Sequence, residues 1–173
     1  DQGVAIDISP PKYLSVDQII ASAGQILALD GITNPQNLGM IIRSVAASPM
    51  DGLLLPRKGC AKIDPLVHKA SAGTLIKSSI YHCPTIESGL KSLRSKGYQL
   101  IGLSGGVDRS LGDIGNANGK IVFVLGNETT GISEPVLALC DELACIPLES
   151  GVESINVAMA ATLVAFRTTF NGT

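Results

Sequence analysis

The chain has 173 residues, of which 45% are apolar and only 3% are aromatic. This length suits one domain with a substantial core, and the scarcity of aromatic rings predicts that aliphatic side chains fill it. The 13 basic and 15 acidic residues leave a net charge of −2. This excludes a protein that holds nucleic acid through overall positive charge, so any such binding must be local or shared with another segment.

The predicted elements alternate between strands and helices. Residues 1–13 are polar and contain prolines, and we interpret them as a tail or linker before one domain at 14–173. A short helix is predicted at 15–23, with Ser15 as its N-cap. Apolar runs predict six strands, at 25–32, 51–56, 79–83, 98–103, 120–125 and 143–147. Helical signals predict helices at 34–48, 64–72 and 85–96, and from about 133 and 156. This alternation indicates an α/β domain with a six-stranded, mostly parallel sheet flanked by helices.

The helix predicted at 34–48 has a clear start, because Asn34 suits the N-cap and Pro35 the first helical position. Gly39 lies one turn before Arg43. A glycine inside a helix costs about 1 kcal/mol relative to alanine. We therefore expect Gly39 to leave bare backbone, and room for a ligand, beside Arg43. A surface arginine on an exposed face is the alternative.

The last predicted helix is apolar on nearly all sides. One side carries Met159, Leu163, Phe166 and Phe170, and another carries Val157, Ala161 and Val164. A helix of this kind must be covered on both sides. We predict that one side packs on its own sheet and the other on a second copy, which makes a homodimer.

Polar side chains gather after the first, fifth and sixth predicted strands. In an open α/β sheet, ligands bind at the carboxyl ends of the strands. We therefore expect these side chains to converge: Asn37, Arg43, Asn127, Glu128, Ser154 and Asn156. A simpler alternative for Ser154 is that it merely N-caps the last helix. No G-x-G-x-x-G or Walker motif is present, which argues against dinucleotide and P-loop sites.

The sequence shows no pattern typical of a membrane span, a signal peptide or a metal site. No stretch of about 18 apolar residues exists, so we predict no membrane span, and no signal peptide is recognisable, which favours the cytoplasm. The four cysteines show no metal-binding spacing, so we predict free thiols and no metal. His68 and His82 lie outside the polar loops, which favours packing or surface roles.

Three stretches resemble the motifs of the SpoU/TrmH family, RNA 2′-O-ribose methyltransferases of the SPOUT class. They are Asn34 to Arg43 (NPQNLGMIIR), Leu125 to Ser133 (LGNETTGIS) and Ile146 to Ala158 (IPLESGVESINVA). The resemblance covers about residues 25–170, with all three motifs in order. It implies a parallel α/β sheet with a C-terminal trefoil knot, S-adenosylmethionine bound in a bent shape within the knot, and a homodimer.

The resemblance also implies roles for the residues at the motif positions. Arg43 matches the central catalytic residue, supported by Asn37, Glu128, Ser154 and Asn156. The cofactor site it implies comprises Leu103, Leu125, Gly126, Asn127, Ile146, Leu148, Ser154 and Ile155. Because arginine keeps its proton at ordinary pH, we favour Arg43 as a stabiliser of the developing alkoxide and an anchor for the neighbouring phosphate. A role as general base is the alternative.

Differences from the family pattern are modest. Asn34 stands where many members have Asp, Thr129 replaces a common Gly, and Ala158 replaces a common Ser. We expect the last two to alter cofactor affinity. Many relatives carry an N-terminal RNA-binding domain, and because this sequence begins at Asp1 without a methionine, we expect it to be the catalytic domain of a longer protein.

The resemblance favours ribosomal RNA over transfer RNA as the substrate. Candidate phosphate contacts are Arg57, Lys58, Lys62 and Arg109, with a solvated surface as the simpler alternative. A catalytically silent RNA- or cofactor-binding paralogue is the main alternative function, and the presence of all the polar motif residues argues against it. A base-methylating relative with the same knot is disfavoured by the first motif.

Overall fold

Seven parallel strands form one sheet in a computed structural model that describes residues 13–19, 24–115 and 119–169. The strands are β1 (Leu14–Ser15), β2 (Gln25–Leu29), β3 (Gly52–Pro56), β4 (Ile80–Cys83), β5 (Gln99–Leu103), β6 (Ile121–Leu125) and β7 (Glu142–Ala144). Their order across the sheet is β1-β4-β3-β2-β6-β5-β7. The predicted α/β class with a parallel sheet is therefore confirmed, with one short strand more than expected.

Helices cover both faces of this sheet. They are α1 (Pro35–Ala46), α2 (Pro65–Ala70), α3 (Ile86–Ser95), α4 (Glu134–Leu137) and α5 (Val157–Phe166). Successive strand side chains point to opposite faces: Leu27 and Phe123 pack in a core with α1, α2 and α5, while Ile26 and Val122 pack in a second core with α3 and α4. Burial on both faces explains why the strands read as unbroken apolar runs.

Most element boundaries lie within two residues of the prediction, and the larger differences have local causes. β2 stops at Leu29 because Gly31 turns the chain with a φ of 75°. β7 stops at Ala144, after which Cys145 forms only an isolated bridge to Ser110. The helix predicted at 15–23 is wrong for its described part, where a single 3₁₀ turn follows β1; Ser15 does cap that turn. Residues 20–23 of that helix, and the predicted tail up to residue 12, lie outside the described residues.

Gly39 serves helix packing rather than ligand access. It is buried where α1 meets α2, and a Cβ built on it would lie 2.4 Å from the Cβ of Ala70 and 2.8 Å from the carbonyl oxygen of Val67. The expectation that Gly39 opens space for a ligand beside Arg43 is therefore wrong. The glycine instead lets α2 approach α1 closely.

We expect Gly39→Ala to lower the free energy of unfolding by about 1–3 kcal/mol, because the added methyl group overpacks this contact. An ordinary helix position would gain about 1 kcal/mol from the same change. Urea unfolding followed by circular dichroism measures the difference.

Adding Ala70→Gly removes one of the colliding atoms and should restore part of the loss. Gln36→Ala, at an exposed position of α1, is the control. A Gly39→Ala protein more stable than the wild type would contradict this packing role.

The two sides of α5 have different surroundings. Val157, Ala161 and Val164 are buried in the core, as predicted, whereas Met159 and Leu163 are 63% and 49% exposed. Phe170 lies outside the described residues. The second copy expected on the exposed side stays a prediction, as does the trefoil knot. None of the helices in the described part of the chain has the length and apolarity that a bilayer crossing requires.

Candidate active site

A pocket of about 230 Å³ lies at the carboxyl ends of β5 and β6, beneath the loop that follows β7. Its lining includes all eight residues predicted for a cofactor site: Leu103, Leu125, Gly126, Asn127, Ile146, Leu148, Ser154 and Ile155. Leucine, isoleucine and valine side chains form its apolar part, and Glu128, Glu153 and Ser154 provide polar groups. The pocket therefore offers both an apolar surface and hydrogen-bonding groups to a ligand.

Sequence reasoning did not assign several of the residues that line this pocket. They include Ser104 and Gly105 after β5, and Ala160 on α5. A signal was available for the first two, because the sequence from Ser104 to Gly119 is glycine-rich and directly follows a predicted strand. Ala160 faces the pocket from a helix whose apolar residues all look alike in the sequence.

Gly126 and Asn127 shape the loop that borders the pocket. The backbone N–H of Asn127 donates to the Gly131 carbonyl at 3.0 Å, and the N–H of Gly131 donates back to Asn127 at 2.9 Å. The Asn127 side chain accepts from Thr129 N–H at 2.8 Å and donates to the Gly31 carbonyl at 2.8 Å. Since its amide is occupied by backbone groups, Asn127 holds the loop in place.

A polar cluster joins the three sequence motifs. Asn37 on α1 is buried, and its Nδ2 donates to Oε1 of Glu128, which lines the pocket. Its Oδ1 accepts from Nδ2 of Asn156 at 3.2 Å. The Oδ1 of Asn156 in turn accepts from the N–H of Ala158 at 2.8 Å and caps α5. The N-cap of the last helix is therefore Asn156, and the alternative role for Ser154 is wrong.

Arg43 stands apart from this cluster. It lies on the exposed side of α1, outside the pocket lining, and its guanidinium makes no hydrogen bond or ion pair within the described residues. The same helix lies alongside α5, where the hydroxyls of Ser44 and Thr162 are 2.7 Å apart. Of the six polar residues expected to converge, five belong to the pocket or to the cluster bonded to it, and Arg43 remains free to contact another molecule.

The described cysteine, histidine and acidic side chains give little support for a reaction that uses a side-chain nucleophile or a metal ion. Burial raises the pKa of Cys83 and of Cys140 to about 11, so both thiols stay protonated at neutral pH. Burial, followed by the nearby charge of Arg57, lowers the pKa of His82, which keeps its ring neutral. All four cysteines are free. Across residues 13–19, 24–115 and 119–169, no group of three or more His, Cys, Asp or Glu side chains is placed to hold a metal ion.

The predicted phosphate contacts differ in their availability. Arg57, Lys58 and Lys62 are exposed in the loop after β3. Arg109 forms an ion pair with Glu142, so its charge is already partly matched within the chain.

Comparison with known proteins identifies the family. Residues 24–166 match the SpoU rRNA Methylase family. The protein belongs to this family. It is 33% identical, over 168 residues, to uncharacterized tRNA/rRNA methyltransferases of Mycobacterium ulcerans and Mycobacterium tuberculosis. The match covers 94% of this chain but 54% and 52% of theirs. The chain thus spans about half the length of these curated relatives.

Solved structures of SpoU methyltransferases share the fold. The SpoU methyltransferase AviRb from Streptomyces viridochromogenes superposes with a TM-score of 0.80 at 26% identity, over 89% of this chain and 62% of AviRb. The complex of AviRb with AdoMet gives a TM-score of 0.77, over 93% of this chain and 67% of AviRb. The AdoMet-bound rRNA methyltransferase from Sinorhizobium meliloti superposes with a TM-score of 0.81 at 23% identity, over 89% of this chain and 59% of that enzyme. At this identity the comparison shows the shared fold.

Proposed function

We propose that this protein is an S-adenosylmethionine-dependent RNA methyltransferase that modifies a ribose 2′-hydroxyl. One observation carries the proposal: all eight residues that the family resemblance assigns to the cofactor line a single pocket, and the Asn37–Glu128–Asn156 cluster is bonded to its edge. The AdoMet complex of AviRb, at 26% identity, supports the choice of cofactor.

The residues of the pocket suit this cofactor. Leu103, Leu125 and Ile146 offer an apolar surface to an adenine ring, while Glu128 and Glu153 suit the positive charges of the sulfonium and the amino group. The volume of about 230 Å³ is slightly below the range of about 300–1,000 Å³ for small-molecule sites. Residues 147–154 are exposed, and we expect this loop to move outward when the cofactor enters.

The reaction needs positioning and help with one proton. The bound cofactor supplies a methyl group attached to a sulfonium sulfur. That sulfur is already a good leaving group. As the ribose oxygen forms its bond to the methyl carbon, the bond between that carbon and the sulfur would break. The oxygen would give up its proton to solvent water, and a positive group beside the oxygen stabilises the developing alkoxide. Arg43 has no partner within the described chain, so its guanidinium is available for the ribose oxygen or the adjacent phosphate. The Asn37 bridge holds the carboxylate of Glu128 and the start of α5 in fixed positions.

A second copy of the chain forms part of this proposal. Met40, Met159 and Leu163 are exposed apolar side chains on α1 and α5, which lie side by side. A partner seated on α5 would cover them and would lie next to Arg43, so that the reaction site would be bounded by both chains. Sedimentation of the purified protein tests this arrangement, and a monomer at micromolar concentration would contradict it.

Ribosomal RNA is the substrate we favour. The matched family is described as rRNA methylases, while one structural neighbour, at 25% identity and a TM-score of 0.73, concerns 2-OH methylation of C/U34 on tRNA. An RNA substrate fits the cytoplasmic location expected from the sequence.

Calorimetric titration with S-adenosylmethionine and transfer of a labelled methyl group test the function. We expect the wild type to bind the cofactor and to form 2′-O-methylated nucleosides in ribosomal RNA, detected by mass spectrometry. Ala160→Leu places extra volume into the pocket and should weaken cofactor binding by about tenfold or more, since even about 1.4 kcal/mol of lost contact gives that factor. Ala138→Leu, at the exposed C-cap of α4 and outside the pocket, is the matched control.

The outcomes separate the two candidate functions. Cofactor binding that Ala160→Leu leaves unchanged would overturn the pocket assignment. Binding of cofactor and RNA without methyl transfer would indicate the catalytically silent paralogue instead.

A further inference from the structure

Positive charge is concentrated in one segment of the chain. Residues 57–77 contain five of the 13 basic residues, namely Arg57, Lys58, Lys62, Lys69 and Lys77, and one of the 15 acidic ones, Asp64. The segment therefore has a net charge of +4, whereas the rest of the chain has −6. A local basic patch of this kind is what RNA binding by an acidic chain requires.

The basic side chains of this segment are unpaired. None of the five makes a hydrogen bond or ion pair within the part of the chain that the structure describes. Several basic side chains elsewhere are engaged: Arg94 pairs with Asp141, Arg109 with Glu142, and Lys120 donates to the Lys96 carbonyl at 3.1 Å. The charge of residues 57–77 is therefore available to a ligand.

The segment also borders a second pocket, of about 520 Å³, at the carboxyl ends of β3 and β4. Arg57 and Lys62 line it, together with Tyr13 and His82. Tyr13 is 38% exposed, whereas Tyr81, Tyr98 and Phe123 are almost fully buried. Its ring is held against His82, with the centroids 4.8 Å apart. An accessible aromatic ring in a pocket that cations also line is the combination by which proteins bind unpaired nucleotides.

We propose that this second pocket holds an unpaired nucleotide of the substrate RNA, with Tyr13 against the base and Arg57 and Lys62 on the flanking phosphates. The proposal rests on the proposed function, because it takes RNA as the substrate. It adds a site for a nucleotide other than the one that is methylated.

The sheet sets the spacing between this nucleotide site and the candidate active site. The nucleotide site lies at the carboxyl ends of β3 and β4, and the active-site pocket lies at those of β5 and β6. Both are on the same edge of the sheet, and β2 lies between the two pairs of strands. Three strand spacings of about 4.8 Å separate the two centres by roughly 14 Å. About four stacked nucleotides span that distance at a rise of about 3.4 Å each. The nucleotide site would therefore hold a near neighbour of the methylated residue.

Fluorescence anisotropy with a labelled RNA hairpin, measured over a series of salt concentrations, tests the nucleotide site. For Arg57→Gln/Lys62→Gln we expect the slope of log affinity against log salt to fall by about 1.4, since each contact to a single-stranded phosphate contributes about 0.7. The control, Lys91→Gln/Arg94→Gln, removes the same formal charge from α3, outside the lining of the second pocket, and should leave the slope unchanged. Tyr13→Ala should lower the affinity about tenfold at every salt concentration, and Tyr13→Phe should restore it.

The design distinguishes failure of this site from failure of the proposed function. Circular dichroism and S-adenosylmethionine titration show that each variant is folded. If folded variants bind the hairpin within twofold of the wild type, or if the α3 control loses as much, the nucleotide site is overturned while methyl transfer can persist. If the wild type binds RNA through these residues but transfers no methyl group, the nucleotide site stands and the proposed function fails.

Discussion

Replacing Arg43 with alanine is expected to lower the rate of methyl transfer by about 10²–10³-fold, the usual effect of removing one group that stabilises a developing oxyanion. Cofactor binding should change little, because Arg43 does not line the pocket. The fold should also be unaffected, since the guanidinium has no hydrogen bond or ion pair within the described residues and lies on the exposed side of α1. Single-turnover transfer from S-adenosylmethionine, alongside calorimetric titration, measures both quantities.

Two further variants locate the effect of Arg43. Arg43→Lys keeps the charge but loses the planar fork that binds phosphate through two hydrogen bonds, so we expect only partial activity. Arg94→Ala removes an exposed arginine from α3, where an ion pair to Asp141 contributes little, and should transfer methyl groups at the wild-type rate. A full rate in Arg43→Ala would exclude Arg43 from the reaction, and loss of cofactor binding would place it in the pocket.

The sequence predicted well those features whose signals lie within a few neighbouring residues. These are the buried strands, the N-cap of α1 at Asn34 and the N-cap of α5 at Asn156. The cofactor residues of the pocket lining were predicted from the resemblance to the SpoU/TrmH family. The meeting of the strand ends at one edge of the sheet predicted only that polar residues such as Asn127, Glu128 and Ser154 would lie close together. Contacts between distant segments were harder to predict.

The wrong expectation for Gly39 and the rejected N-cap alternative for Ser154 both depend on contacts between distant segments. Whether a helical glycine faces a ligand or another helix depends on where α2 packs, and the contact with Ala70 spans about thirty residues that the motif does not contain. Ser154 and Asn156 are both good N-caps by type. Asn156 has that role because its amide also reaches Asn37 across the site. The position of Arg43 outside the pocket likewise depends on how α1 packs against α2 and α5, which no local signal encodes.

Gly126→Ala is expected to have the largest effect on the fold and the pocket together. A Cβ at this position would lie 2.1 Å from the carbonyl carbon of Gly131 and 2.2 Å from the nitrogen of Ile132. Both are backbone atoms, so no side-chain rotation can relieve the overlap, and the paired hydrogen bonds between Asn127 and Gly131 must break. We expect the free energy of unfolding to fall by about 3 kcal/mol, at the upper end for overpacking.

The same displacement should weaken S-adenosylmethionine binding by about 100-fold, which corresponds to about 2.8 kcal/mol, because the moved loop carries Gly126, Asn127 and Glu128 out of the pocket wall. Gly115→Ala is the matched control. Gly115 lies outside the pocket lining and its Cβ would meet no atom within 4 Å, so it should keep wild-type stability and affinity. Gly126→Ala with wild-type unfolding and titration curves would mean that this loop does not need the close approach to Gly131, and the pocket would then depend on the loop after β7 alone.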